Sequence, residues 1–302
     1  MQSDQLYDVI IIGGSYAGLS AAMALGRSLR DVLIIDSGQP CNAQTPHSHN
    51  FLTQDGARPA DINTIALDQV LAYSTVKYHQ AWATHAEKVE EGFQVFTEAE
   101  EGFRARKLIF ATGIRDQFPE IPGFKESWGK TIVHCPYCHG YEFRGKKTAL
   151  LANGPKAFHL AGLIHNLSQD LAIITGGKAD FSPEQLNILS KKNIRLIEKS
   201  VSCISNEKGI LKKLVLEDQT SEEFEVAYAA VPFYQHSAIP ESLGCLLDEH
   251  GYIQTNQMRE TTVPGIYACG DNSSMIRSVA NAVYTGNFAG AIVNMALVEG
   301  SR

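Results

Sequence analysis

The residues with the most chemical content are Cys135 and Cys138, set in the run His134-Cys135-Pro136-Tyr137-Cys138-His139-Gly140-Tyr141-Glu142. Two cysteines with two residues between them can close an intramolecular disulfide. At a helix amino terminus their thiol pKa falls from about 8.5 toward about 3.5 to 7.5, which supplies an attacking thiolate. His139, with an intrinsic pKa near 6.5, is suited to take or return a thiol proton during exchange; His134 is the weaker candidate. Three other readings fit the same residues. CxxCH is the attachment sequence of c-type haem, CxxC can be half of a zinc site completed by His134 and His139, and the segment can be a turn without chemistry. Haem attachment needs export and an axial-ligand environment, neither of which the sequence signals, and no second CxxC or HxxxH-like pair is present for zinc.

A second group of residues points to a dinucleotide. Gly13-Gly14-Ser15-Tyr16-Ala17-Gly18 stands where an apolar β-branched run gives way to a helical stretch, as a pyrophosphate-binding loop requires. Gly13 makes the tight turn, Gly18 allows close helix packing, and the helix amino terminus offers free N–H groups and its dipole to the diphosphate. Ser15 takes the middle glycine position, where its hydroxyl can donate a hydrogen bond. Asp36, followed by Ser37, ends the second strand about 20 residues on, where a carboxylate accepts from ribose hydroxyls.

These residues need elements to hold them. Strand, helix and strand patterns over 7–12, 16–29 and 32–35 give a βαβ opening, and the layout recurs over 148–151, 156–166 and 171–175. Loop and helix fill 45–80, and further strands are expected over 93–97 and 108–111. A long helix of small residues closes the chain over 277–296. The segment QFPEIPGF after Asp116 suits a linker. The expected organisation is α/β, with two Rossmann-like dinucleotide-binding domains. One is split in sequence, 1–116 and 243–302, around an inserted domain, 117–242, of pyridine-nucleotide type that carries the CxxC.

Ala111-Thr112-Gly113 ends one buried strand and Gly265-Ile266-Tyr267-Ala268-Cys269-Gly270-Asp271 ends another. With the first loop, these segments resemble the FAD-binding signature of two-dinucleotide-fold flavoproteins. The resemblance implies that Gly270 and Asp271 meet the ribityl or diphosphate oxygens. It also implies that Arg277, Ser278 and Val279 begin a helix whose positive end faces the flavin pyrimidine edge, where reduction adds negative charge. Over its whole length the chain looks like the low-molecular-weight thioredoxin reductases. The CxxCHGYE run and the stretch Cys41-Asn42 to His47-Ser48-His49-Asn50 are similar to the flavin-dependent dithiol oxidases of the gliotoxin type. That resemblance implies FAD, a homodimer, and a stretch at His47, His49 and Asn50 near the flavin. It makes Cys138 the flavin-proximal thiol and Cys135 the exchanging one.

The second loop departs from the reductase pattern. Ala152-Asn153-Gly154-Pro155-Lys156-Ala157 has alanine for the first glycine, and Thr175-Gly176-Gly177-Lys178 brings one lysine where an arginine pair would clamp a 2′-phosphate. Strong use of NADPH is therefore not expected. A small dithiol or disulfide, or a thioredoxin-like protein, is the expected substrate.

Composition sets the outer bounds. In 302 residues, 44% hydrophobic and 20% charged, there is ample material for two ordered domains. A net charge of −7 without any Lys/Arg run argues against nucleic acid or an anionic membrane as partner. The first apolar run is too short to cross a bilayer and lacks a basic leader, which gives a cytoplasmic reading. Six cysteines in so long a chain do not make a disulfide scaffold; Cys41, Cys203, Cys245 and Cys269 read as small hydrophobes. Trp82 and Trp128 read as packing residues, and Phe233, Tyr234 and His236 as a loop. No metal is expected.

Overall fold

The structure, a computed structural model, describes residues 2–300; residues 1, 301 and 302 of the expected split domain lie outside the described residues. It divides into two compact units. Among the described residues the first comprises 2–43, 51–115 and 233–300, the second 44–50 and 116–232.

The first unit opens with β1 (Gln2–Ile12), α1 (Tyr16–Arg27), β2 (Val32–Asp36), α2 (Pro59–Leu71) and β3 (Val76–Gln80). An antiparallel meander follows, β4 (Ala83–Val89), β5 (Gly92–Thr97) and β6 (Gly102–Phe110), and then a short β7 (Ile114–Asp116). The sheet runs β3-β2-β1-β6-β5-β4, parallel from β3 to β6. Sheet faces explain the apolar runs: Val9 and Ile11 join one core cluster and Ile10 and Ile12 the other, as do Val32 and Ile34 against Leu33 and Ile35. Strands covered on both sides read as continuous apolar segments, which is why they were legible.

The second unit contains α3 (Phe124–Ser127), β8 (Ile132–Val133), α4 (Pro136–His139), β9 (Thr148–Leu151), α5 (Gly154–His165), β10 (Leu171–Ile174), α6 (Pro183–Lys191) and β11 (Arg195–Ile197). A small antiparallel sheet of β12 (Val201–Glu207), β13 (Ile210–Leu216) and β14 (Ser221–Glu223) precedes β15 (Val226–Ala229). The main sheet, β11-β10-β9-β15-β8, is parallel throughout. Its order repeats that of the first unit, with the strand before the loop helix at the point where connections change direction, the edge at which such sheets bind ligands.

The chain re-enters the first unit at β16 (Phe233–Gln235), which pairs with β7, and continues through α7 (Ile239–Ser242), β17 (Ile266–Ala268) and α8 (Val279–Glu299). The return therefore falls after Pro232 rather than after Ser242. Pairing with β7 and burial of Ile239 in the first unit's core draw this stretch across, and neither contact is local in sequence. Residues 44–50 likewise pack with the second unit. β17 adds to β6 beside Leu108–Phe110. The small residues of α8 let it lie tightly on α1: a Cβ at Gly286 would stand 2.0 Å from the Ala17 carbonyl oxygen, and one at Gly290 2.5 Å from that of Ala21.

Candidate functional site

The dithiol stands at the end of β8, whose Ile132 and Val133 are buried in the second unit's sheet. Cys135 is the N-cap of α4, extended at φ −115° and ψ 114°, and Pro136 starts the helix with its φ preset. The Cys138 backbone N–H donates to Cys135 Sγ at 3.2 Å, and the two sulfurs approach to 2.6 Å. The expected strand-to-helix position holds, but the helix is a single turn. Gly140 is required by packing, since a Cβ there would meet Leu167 Cδ1 and the Pro136 carbonyl oxygen, each at 2.3 Å.

His139 is largely enclosed. Burial pushes its imidazole down to about 4, nearby His49 lowers it further, and Glu142 opposes both. His49 Nδ1 lies 3.6 Å from Glu142 Oε1. His134 instead lies over Trp128, ring centroids 6.0 Å apart, in an aromatic cluster with Phe118 and Phe124. Tyr228 on β15, 2% exposed, was not singled out by its sequence; burial together with Cys135, Glu142 and Cys138 holds its hydroxyl protonated. Beside His139 the second unit contains a cavity of about 830 Å³, lined by His47, His49, Glu142, Phe143 and Phe224 among others. The other cysteines have different settings: Cys269 is enclosed and its thiol is pushed up to about 12, while Cys245 contacts the Thr261 hydroxyl.

In the first unit the expected dinucleotide residues gather at the carboxyl edge of the parallel strands. Gly13 has φ +105°, and a Cβ on it would lie 2.3 Å from the Ala111 carbonyl oxygen; one on Gly18 would lie 1.8 Å from that of Gly13. Both glycines are therefore fixed by backbone approach. No side chain caps α1, whose first internal bond runs from the Leu19 N–H to the Ser15 carbonyl at 2.9 Å. Its leading N–H groups thus have no intrahelical partner. Asp36 accepts from the Gly14 N–H at 2.8 Å and from the Tyr78 hydroxyl at 3.0 Å. Tyr78 sits on β3, a strand whose mixed sequence VKYHQ carries no clear period.

Thr112 and Gly113 follow β6. Asn272 beside Asp271 donates to the Phe110 carbonyl at 2.9 Å and the Thr112 hydroxyl at 3.2 Å, while its own Oδ1 is buried without a partner. Arg277 Nε lies 3.8 Å from Asp271 Oδ2, and Ser278 caps α8 by accepting from the Asn281 N–H at 3.1 Å. His236, expected in a plain loop, donates its backbone N–H to the Gly113 carbonyl at 3.5 Å and packs edge-on against Trp82. Asn50 belongs to the second unit, at φ +60°. Among the described residues no cluster of three or more His, Cys, Asp or Glu is arranged to hold a metal ion, and no helix is long and apolar enough to cross a membrane.

A family model described as pyridine nucleotide-disulphide oxidoreductase matches residues 7–286. Thioredoxin reductase tcpT of Claviceps purpurea is 31% identical, the match covering 99% of this chain and 96% of that protein. Thioredoxin reductase aclD of Aspergillus oryzae is 30% identical, with 98% and 99% covered. A solved oxidoreductase from Agrobacterium tumefaciens, 34% identical, superposes with a TM-score of 0.92 over 98% of this chain and 99% of that one. Thioredoxin-reductase-like proteins of this family bind FAD. The residues of the first unit fit such a group: an uncapped helix start behind close-packed glycines, a carboxylate at the end of β2, and a buried acceptor on Asn272 awaiting a donor. With a family match over most of its length and relatives aligned nearly end to end, the chain belongs to the pyridine nucleotide-disulphide oxidoreductases, as a thioredoxin-reductase-like FAD oxidoreductase.

Proposed function

We propose that Cys135 and Cys138 carry two electrons between FAD and an external dithiol or disulfide, with His139 moving the proton. The observation that supports this most directly is the convergence of the Cys138 N–H and the Cys138 sulfur on Cys135 Sγ, at 3.2 and 2.6 Å. A donor aimed at the charged form favours it, so Cys135 is the thiolate that attacks or leaves and Cys138 its resolving partner.

In the oxidising direction a substrate thiolate attacks Cys135 Sγ of the enzyme disulfide, the S–S bond breaks, and Cys138 leaves as thiolate. The second substrate thiolate attacks the substrate sulfur of the mixed disulfide and releases Cys135. The substrate departs as a disulfide, and its two electrons remain on the enzyme dithiol; the reverse order reduces a disulfide. His139, neutral above about pH 4, accepts the proton from the incoming thiol and returns it in the reverse direction. Bound FAD supplies the two-electron acceptor or donor that resets the dithiol. Gly13, Gly14, Ser15, Ala17 and Gly18 would hold its diphosphate and Asp36 with Ser37 a ribose. Ala111, Thr112, Gly113, Gly270, Asp271, Arg277, Ser278 and Val279 would hold the rest.

A thioredoxin-like protein or a small dithiol is the substrate, and the enzyme works as a cytoplasmic homodimer. The second reading, an oxidase acting on a small dithiol with dioxygen taking two electrons and two protons to become hydrogen peroxide, is favoured by the cavity beside His139. Its volume of about 830 Å³ falls in the range of small-molecule sites. Anaerobic bleaching of the flavin absorption by NADPH, NADH or a small dithiol separates the two. Bleaching by dithiol alone, reversed by air, supports the oxidase; bleaching by NADPH alone returns the ordinary reductase. If a Cys135→Ser or Cys138→Ser enzyme that retains FAD still turns over fully, the dithiol assignment is wrong.

A further inference from the structure

The second unit repeats the strand-loop-helix unit that binds a dinucleotide diphosphate in such sheets, at β9, the Ala152–Ala157 loop and α5. The start of α5 differs from that of α1 in three ways. Asn153 caps it, its Oδ1 accepting from the Gly154 N–H at 2.8 Å. Pro155 has no N–H to offer. The carboxylate of Asp180 stands over the opening: its Oδ2 is 3.3 Å from where a Gly154 Cβ would be.

This arrangement is pinned from several sides. Asn153 Oδ1 also accepts from the Asp180 N–H at 2.9 Å, and its Nδ2 donates to the Lys178 carbonyl at 2.9 Å. The connecting loop turns back through Gly176 and Gly177, both at positive φ, with Thr175 Oγ1 2.5 Å from the Gly177 carbonyl. Ser182 closes it with a capping box on α6. Glu198, on the far side, accepts from the Ala179 N–H at 2.6 Å. Where a nucleotide clamp would present an arginine pair, the loop after β10 presents Lys178 with Asp180 two residues on, Glu198 follows β11, and Lys199 is paired with Asp218 at 2.5 Å.

We infer that Asn153, fixed by three hydrogen bonds, and Asp180, an exposed carboxylate whose backbone Asn153 holds in place, occupy the diphosphate position of the second unit's nucleotide-type loop. Asp180 is thereby the residue that excludes pyridine nucleotides from this enzyme. A diphosphate entering there meets a carboxylate where it needs donors, one N–H already used and another absent. The second unit then serves the dithiol alone, and electrons enter from or leave to a partner other than NADPH or NADH. This last consequence rests on the redox reading above; the exclusion itself does not.

The test is calorimetric titration of ADP-ribose, NADH and NADPH into the FAD-loaded protein and into Asp180→Ala and Asn153→Gly/Asp180→Ala variants. ADP-ribose carries the diphosphate without a hydride, so its binding reports on the loop whether or not the flavin is reduced by dithiols. The wild type is expected to show no saturation at millimolar ligand. The variants are expected to gain at least about 30-fold in affinity for ADP-ribose and NADH. Bound FAD and an unchanged urea midpoint certify that the variants are folded. Saturation of the wild type by micromolar NADPH or NADH, or no gain in either folded variant, overturns the assignment. A turnover-competent Cys135→Ser enzyme would instead remove the dithiol reading and leave these titrations standing.

Discussion

The amino ends of α1 and α5 occupy matching places in two sheets of the same order, yet one is open and the other is filled. At α1 no side chain caps the helix, and of the N–H groups in the glycine loop Asp36 takes that of Gly14, leaving the following amides to a ligand. At α5 Asn153 takes the Gly154 N–H, Pro155 removes the next, and Asp180 lies over the opening. Topology therefore does not specify a nucleotide site. A parallel sheet provides the place, and a few side chains at the helix start decide whether an anion or the protein itself fills it.

The contrast can be tested by substitution at each end. Gly18→Val at the open end forces a Cβ into a space where it would lie 1.8 Å from a carbonyl oxygen, and purified protein is expected to carry no FAD. Cys135→Ser leaves the open end intact; flavin absorbance should be retained while steady-state dithiol or disulfide turnover falls at least ~10³-fold. Asp36→Ala removes the carboxylate between Gly14, Tyr78 and the ribose, and FAD affinity, read by flavin fluorescence on dilution, should weaken by about 10- to 100-fold.

His139 gives a pH signature confined to the second unit. Its folded pKa of about 4 lies below the unfolded value near 6.5. Above that value both states are neutral there. As pH falls toward 4 the unfolded chain binds a proton that the folded one refuses, so stability is lost across this window. His139→Gln should shrink the drop in urea midpoint between pH 7.5 and pH 4.5. At the filled end, Gly154→Ala should have the mildest effect, about 1 kcal/mol in urea unfolding with FAD retained. Its φ of +66° is unfavourable for alanine, but its Cβ would meet only Asp180, the carboxylate oxygen at 3.3 Å and the backbone oxygen at 3.9 Å.

Much of this was legible in the sequence. The strands around Ile10, Ile34, Leu150 and Ile173 are covered on both faces and announce themselves as unbroken apolar runs, and the CxxC and glycine spacings are local. The polar strands β3 and β4 were not, because their side chains alternate little and face solvent over much of their length. Tyr78, Tyr228 and Asn272 reach their partners only after distant strands pair. The lowered pKa of His139 was not legible for the same reason: its spacing to Cys138 is in the sequence, but its enclosure by the fold is not. Ala152 stood out as a departure from a glycine motif; only the loop from Thr175 to Ser182 shows that Asn153 beside it is a cap with three hydrogen bonds.

The fit of α8 on α1 has a consequence for how the chain is made. Ala17 and Ala21 receive Gly286 and Gly290 against their carbonyls, Ser20 bonds the Val283 carbonyl at 2.7 Å, and Arg30 bonds Asn294 at 2.7 Å. During synthesis from the amino end, α1 must wait about 250 residues for its partner α8, and the Leu108–Phe110 edge of β6 must wait for β17. Residues 116–232 emerge as one continuous stretch in the interval. The dithiol-bearing unit is therefore free to fold first, and the flavin edge is completed only after β17 and α8 have followed it.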